Sequence, residues 1–255
     1  SGPGAGFLGS GTSSETNTTD SDGYATTSAV LANTVAGSYN VTASFGAFTA
    51  SFGLTNTAGA PASLSIISGN NQTAIINSAF ATTLGVNVVD SYGNPAAGAS
   101  VTFTPPGSGA SGTFSGGPTV TADGSGNATA SAFTANNTAG AYSVGVSSGA
   151  AVGSFNLTNH NPQPVISGIS PTSVTAGDPG FTLNLSGSGF VPGMVVTWPS
   201  QANLTATVLT ATTATVSVPA SYINLPGTPG IGLSNPGPGG GASAVGRLIS
   251  SPENL

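Results

Sequence analysis

The sequence predicts an all-β protein of tandem antiparallel sandwiches, the first present only as a C-terminal half. Three observations lead there. Asp20–Asn56 realigns without a gap onto Asp123–Asn159, 123 − 20 = 103 positions on, with 20 identities in 37 residues. A period near one hundred residues is too long for small solenoid units and fits an array whose repeat is a whole domain. Short runs that alternate apolar and polar residues lie between Gly, Asn and Pro turns along the whole chain, and no stretch carries helical periodicity of useful length. The composition completes the case: 3% charged but 38% hydrophobic, so the chain is polar through Ser, Thr, Asn and Gly while keeping enough apolar residues to build cores.

The 255 residues divide by this arithmetic into residues 1–57, a C-terminal half repeat; 58–160, a complete repeat; and 161–255, a third unit. Carrying the shift of 103 back to the start places residue 1 opposite Thr104, so the first copy lacks the first half of the second. In the complete repeat strands are expected at Ala62–Ile67, Leu84–Asp90, Ser100–Thr104, Gly112–Ser115, Thr119–Ala122, Ala128–Phe133, Tyr142–Ser147 and Val152–Thr158. Tyr142, Val144 and Val146 should face one way and Ser143, Gly145 and Ser147 the other; Tyr39, Val41 and Ala43 play the same part in the half copy. Asn159-His160-Asn161-Pro162 reads as the linker to the third unit.

Val86–Pro106 puts a strand, an Asp-Ser-Tyr-Gly-Asn-Pro turn and a Val-Thr-Phe strand in order, and Thr121–Phe133 follows with an Asp and Gly turn leading into a Thr/Ala strand. This resembles the group 1 bacterial Ig-like domain of intimin and invasin, in full over 58–160 and as a half over 1–57. Pro162–Ser200 has an Ile-Ser-Gly-Ile-Ser-Pro opening, an Ala-Gly turn, a Thr-Leu-Asn-Leu strand, Gly-Ser-Gly-Phe and Val-Thr-Trp; Gly230–Ser250 closes with an Asn-Pro-Gly-rich turn and a final strand. This part resembles an IPT/TIG domain, and departs from it at Arg247, where an edge position is expected. The resemblances imply tandem Ig-like β-sandwich domains and say little about function.

Arg247 is the only Lys or Arg, and the net charge is −6, which excludes nucleic-acid binding or anionic-membrane binding through a basic patch. With no Cys and no Lys, there are no disulfides, thiolate metal sites or Lys–Asn isopeptide links, so mechanical strength must be non-covalent. No apolar run approaches the ~20 residues of a membrane span, and the opening Ser-Gly-Pro-Gly-Ala-Gly-Phe has no secretion-signal pattern, so residue 1 reads as a processed end or a fragment boundary.

Motifs that could carry chemistry have plainer readings. Gly145-Val146-Ser147-Ser148-Gly149 spells a nucleophile elbow, but that device needs a following helix and a His–acid pair; a strand follows, and His160 is alone. Leu225-Pro226-Gly227-Thr228-Pro229 imitates a sorting signal and reads as a turn. Glu15, Asp20, Asp22, Asp90, Asp123, Asp178 and Glu253 are scattered, mostly at turns; Asp20-Ser21-Asp22-Gly23 lacks the later ligands of a calcium loop, and Asx-turns account for these acids better than a metal. Asn17, Asn40, Asn71, Asn127, Asn136, Asn156 and Asn203 head glycosylation sequons, and Trp198 with Phe190 could stack on sugar but fit a core better. No catalytic, cofactor-binding or metal residue is assigned, and no enzyme activity is expected.

The sequence therefore points to an extracellular structural protein, a repeat subunit of a surface fibre, filament or stalk. The alternative is an adhesin or the carbohydrate-binding accessory region of a larger secreted protein, with surface glycans as partners. Edge strands without charged gatekeepers leave its sheets free to associate. A half sandwich of 57 residues buries too little to offset its ordering entropy, so residues 1–57 should be completed by upstream repeats of the chain or by other copies of itself. The charge-free edges favour a neighbouring subunit adding strands end to end.

Overall fold

A computed structural model describes residues 2–252, and among these the regular structure is β throughout, save one 3₁₀ turn at Ala220–Tyr222. The alternation read from the sequence sets the layers. In Gly140–Ser148 and Ala151–His160, the longest hairpin, Val144, Val146, Phe155 and Leu157 point inward and are at most 2% exposed.

That hairpin is the centre of a sheet ordered Thr119–Thr121, Ser100–Thr104, Gly140–Ser148, Ala151–His160, Gln72–Ile75. Facing it is a sheet of Asn127–Thr129, Gly85–Val89 and Ser63–Ser68. Between them lies a core in which Phe103, Phe114, Phe133, Phe80 and Phe155 form a chain of rings with centroids 4.4 to 5.9 Å apart. Such aromatic contacts, three tilted and one stacked, each add about 1 kcal/mol beyond area burial.

The first strand of this sandwich changes sheets. Ser63–Ser68 pairs antiparallel with Gly85–Val89; after Gly69 and Asn71, both at positive φ, Gln72–Ile75 runs parallel to Ala151–His160 in the other sheet. Residues 162–252 repeat the device: Val165–Ser170 pairs with Phe181–Ser188, while Ser173–Thr175 pairs in parallel with Ile249–Ser251. This third unit has its own core, from Leu183 to Leu248, with no residue shared with the first.

Residues 2–57 contrast with both. Gly37–Phe45 and Phe48–Asn56 form a hairpin in the register of the later one, Gly37 opposite Asn56 as Gly140 is opposite Asn159. No third strand joins it, and the one buried residue in the segment is Asn56.

The structure amends four expectations. Ala5 pairs with Ala32 as Gly112 pairs with Ala135, so upstream of the turns the equivalence shifts from 103 to 112 − 5 = 107, and Ser1 corresponds to Ser108 rather than Thr104. Four extra residues sit in the connection between Phe7 and Asp20. The expected strand Ala128–Phe133 is two strands, because Asn127–Thr129 pairs with Gly85–Val89 and Phe133–Ala135 turns away to pair with Gly112–Phe114. Gln72–Ile75 was not foreseen. The linker is shorter than read: Asn159 and His160 belong to the strand, and Asn159 is fully buried.

Candidate functional site

Three of the acids build turns. Asp20, Asp90 and Asp123 each open a five-residue Asp-x-x-Gly-x turn in which one carboxylate oxygen accepts the amides two and four residues on, at 2.8 to 3.0 Å. The glycine of each, Gly23, Gly93 or Gly126, has φ between +77° and +85°, a conformation only glycine adopts without strain. Asp178 accepts from the Thr175 amide, and Glu15 holds the amide and hydroxyl of Ser28. Glu253 lies outside the described residues. Among the described residues no three His, Cys, Asp or Glu side chains come together as a metal site would need.

Other motifs fall into the framework too. Ser147 lies within the Gly140–Ser148 strand opposite Val152, so His160 is eight residues further along the partner strand, about 26 Å at roughly 3.3 Å per residue. Gly227 pairs its backbone with Ser250, which fixes the Leu225–Pro229 segment as a connection between strands. Trp198 and Phe190 are 5% and 3% exposed, and Trp198 meets Tyr222 edge-on inside the third unit's core. Arg247 is exposed, on a two-residue strand paired on one side with Gly230–Asn235. Of the sequon asparagines, Asn136 is committed by its amide to Gly109 and by its oxygen to Ser111, Thr138 and Asn159, whereas Asn17, Asn40, Asn71, Asn156 and Asn203 are exposed.

Three asparagines carry the architecture, and the sequence reading had given them no role. Asn159 donates to the carbonyls of Ser111 and Thr138 and to Asn136, at 2.8 to 3.1 Å, and its oxygen accepts the Tyr142 hydroxyl. Burial of that phenol pushes its pKa up to about 12. Asn56 makes the same donations in the half copy, to Gly4, Val35 and Asn33. The signal was available, since both pairs, Asn33/Asn136 and Asn56/Asn159, are among the identities of the repeat.

The third is Asn94, which closes the Asp90 turn and also reaches across to the half copy. Its Oδ1 accepts the Ala36 amide at 2.9 Å and its Nδ2 donates to the Thr34 carbonyl at 2.8 Å. From behind, Asp90 accepts from Asn94 Nδ2 and from the Gly59 amide, which holds its carboxyl well below the usual carboxylate range. The turn thus fastens both the segment before the half copy's hairpin and the connection that leaves it.

The junction beyond His160 is fastened differently. Asn161 donates its amide to the Pro238 carbonyl, accepts the Gly240 amide, and donates Nδ2 to the Pro236 carbonyl, all at 2.8 to 2.9 Å. Asn235 reaches back to the Pro162 carbonyl. Gly239 must be glycine: φ is +72°, and a Cβ there would stand 2.7 Å from that of His160. Neither junction contains a free linker.

Two hollows lie on this framework. A shallow one of about 430 Å³ is lined by Gln72, Thr73, Tyr142, Ser143, Asn156 and neighbours, and a crevice of about 550 Å³ at the first junction is lined mostly by Ala, Gly, Pro and Thr. The phenol of Tyr142 is the one titratable side chain in either lining.

No family profile matches the chain, and no curated protein does. Among solved structures it is similar to invasin, a bacterial integrin-binding protein, at 20% identity and a TM-score of 0.42, over 92% of this chain and 49% of that one. It is also similar to domains 4–9 of the surface layer protein SbsC, at 13% identity and a TM-score of 0.33, over 99% and 45%. A third is SGBP-B of a Bacteroides ovatus mixed-linkage glucan utilization locus, in complex with a mixed-linkage heptasaccharide, at 14% identity and a TM-score of 0.25, over 74% and 47%. The chain spans about half the length of each of these structures.

Proposed function

We propose that this chain is a structural segment of an extracellular surface fibre or stalk, in which successive Ig-like sandwiches are held in line without covalent crosslinks. The observation that carries this reading is the pair of fastened junctions. A device that only connects domains could use a flexible linker, yet here Asn94 spends both ends of its amide on the preceding unit, and Asn161 spends its backbone and side chain on the following one. Under this reading the units are 1–57, 58–160 and 161–255, the last an IPT/TIG domain, and the chain is not an enzyme. Asp20, Asp90 and Asp123 are committed to turns, and among the described residues the one His, His160, lies about 26 Å along the partner strand from the point opposite Ser147.

Electron microscopy of the native material tests the reading. Filaments or stalks with a regular spacing of about one sandwich per repeat are expected; discrete, flexibly jointed particles would overturn it. A second reading, an adhesin or carbohydrate-binding accessory region, is favoured by the shallow hollow of about 430 Å³, whose amide and hydroxyl side chains suit sugar hydroxyls. Calorimetric titration with cell-surface oligosaccharides, repeated on Thr73→Ala, separates the two.

A further inference from the structure

The first and last strands of the complete repeat are bonded directly to each other, and they run parallel. Among the described residues Gln72–Ile75 is an edge strand whose one neighbour in the sheet is the far half of Ala151–His160, with Gln72 opposite Leu157 and Ile75 opposite His160. Further bonds lengthen the pair at both ends. At the near end the Asn71 amide donates to the Asn156 carbonyl at 2.9 Å and the Asn156 amide donates to Asn70 Oδ1 at 2.8 Å; at the far end the Ile76 amide donates to the His160 carbonyl at 2.9 Å. The chain enters this unit ahead of Ser63 and leaves it after His160, so a pull along the chain draws Gln72–Ile75 back through Ser63–Ser68 and draws Ala151–His160 forward. The two strands are then sheared past one another. Residues 162–252 contain the same arrangement: Ser173–Thr175 lies parallel to Ile249–Ser251, and the pair is extended by the Ile249 amide on the Thr172 carbonyl at 2.9 Å and the Ala176 amide on the Ser251 carbonyl at 2.7 Å.

From this we infer that the parallel pair of residues 70–76 and 156–160 is the clamp that carries tension along the chain, and that the side chain of Asn70 sets its strength. The inference rests on the reading of the chain as a segment of a fibre or stalk, which supplies the tension. The bonds of a parallel pair are evenly spaced, so a lengthwise load is shared among them and they must fail together, whereas strands peeled from one end lose their bonds singly. No covalent link relieves the clamp, since the chain has neither Cys nor Lys. Asn70 lies in the bend where the first strand changes sheets, between Gly69 and Asn71, both at positive φ. Its Oδ1 stands in for a backbone carbonyl, accepting the Asn71 amide at 3.0 Å and the Asn156 amide at 2.8 Å, and so adds a bond beyond the point where the strand itself stops. Beyond His160 the load passes straight into the third unit, through the bonds of Asn161 to Pro236, Pro238 and Gly240.

The test holds single 255-residue chains at constant force between two introduced cysteines and reads the lifetime of the 58–160 unit. Ala60→Cys with Val165→Cys puts the handles beyond opposite ends of the clamp and shears it; Ala79→Cys with Val165→Cys puts both beyond the same end and peels it from Ile76 back. All three positions are exposed. At one force the unit is expected to last about 100-fold longer in shear than in peel, as several bonds are loaded together. Asn70→Ala should shorten the lifetime in shear by about five- to tenfold, the share of one hydrogen bond, and leave it unchanged in peel, where that bond is the last to break. Asn70→Asp keeps the accepting oxygen and should restore the lifetime in shear. Equal lifetimes in the two pulls would overturn the inference. So would Asn70→Ala that alters neither lifetime or shortens both alike, the mark of a merely structural residue, or Asn70→Asp that restores nothing. These lifetimes do not depend on whether the native material forms filaments, so the clamp and the fibre reading fail separately.

Discussion

At the scale of single residues, amide side chains do in this protein what charged pairs do in most. Asn159 is fully buried and its Nδ2 meets three acceptors, so Asn159→Ala leaves the Ser111 and Thr138 carbonyls without that donor and a cavity beside them. A loss of about 2 to 3 kcal/mol in the stability of the 58–160 sandwich is expected in urea denaturation, with a smaller effect from Asn56→Ala in the exposed half copy. Asp90 makes the fold sensitive to acid. Its folded pKa lies below the ordinary value of 3.8, so its contribution is present above that pH and fades as the pH falls towards the lowered value. Asp90→Asn should be less stable at neutral pH and lose less stability as the pH falls from about 5 to about 2, as followed by acid titration of thermal unfolding. Tyr142 acts at the other end. Its pKa rises from 10.0 to about 12 on folding, so its share of the stability is full below pH 10 and disappears as the pH climbs through 12. Tyr142→Phe should flatten that alkaline limb.

At the scale of elements, the strands with two-residue periodicity were legible and the ones defined by their partners were not. Ser100–Thr104 was read to the residue, and the hairpin 140–160 to within two residues at each end, because Val144, Val146, Phe155 and Leu157 alternate with small polar residues. Gln72–Ile75 has four residues after a Gly-Asn-Asn turn, and its strand character comes from a parallel neighbour 85 positions away, which no local pattern contains. Ala130–Ala132 fails for the converse reason: the local pattern runs on, while pairing passes from Gly85–Val89 to Gly112–Phe114. The functional reading of the junctions was also out of reach, since Asn94 looks like any turn asparagine until Thr34 and Ala36 lie against it. Asn94→Ala should broaden the distribution of distances between residues 2–57 and the following sandwich, measured by small-angle scattering or paired spin labels. It should lower the thermal midpoint of the 58–160 core only slightly, because two of the three side-chain bonds lost lie between units and the loss of the third, Nδ2 to Asp90, leaves that carboxylate still bonded to the Gly59, Tyr92 and Asn94 amides. At the second junction Gly239→Val has no room and the wrong φ, and displacement of Asn161 is expected to free the third unit in the same measurement.

For the whole molecule, extended shape and lack of charge act together. The chain exposes 13635 Å², against about 10,000 Å² for a compact monomer of 24.2 kDa, so it has surface to spare for contacts between chains. Ordinary proteins guard such surface with charged edge residues, and this one holds a single Lys or Arg and seven Asp or Glu in 255 residues, several of those acids already turned onto backbone amides. Any force between copies would therefore have to come from apolar burial and backbone pairing. Coulomb forces between exposed charges weaken steeply as the screening length falls from about 20 Å to about 4 Å between roughly 0.02 and 0.5 M salt, whereas apolar contacts are unaffected over that range and are strengthened by sulfate. Sedimentation at graded protein concentrations should accordingly show self-association that changes less than about twofold across this span of sodium chloride and rises on adding ammonium sulfate. Phe45→Ser with Phe48→Ala, which removes the two most exposed aromatic rings of the chain, should lower any such association under both conditions. Association that falls away steeply with sodium chloride would place the contacts on the scattered acids and Arg247 instead, and the account of a charge-free, face-driven assembly would have to be given up.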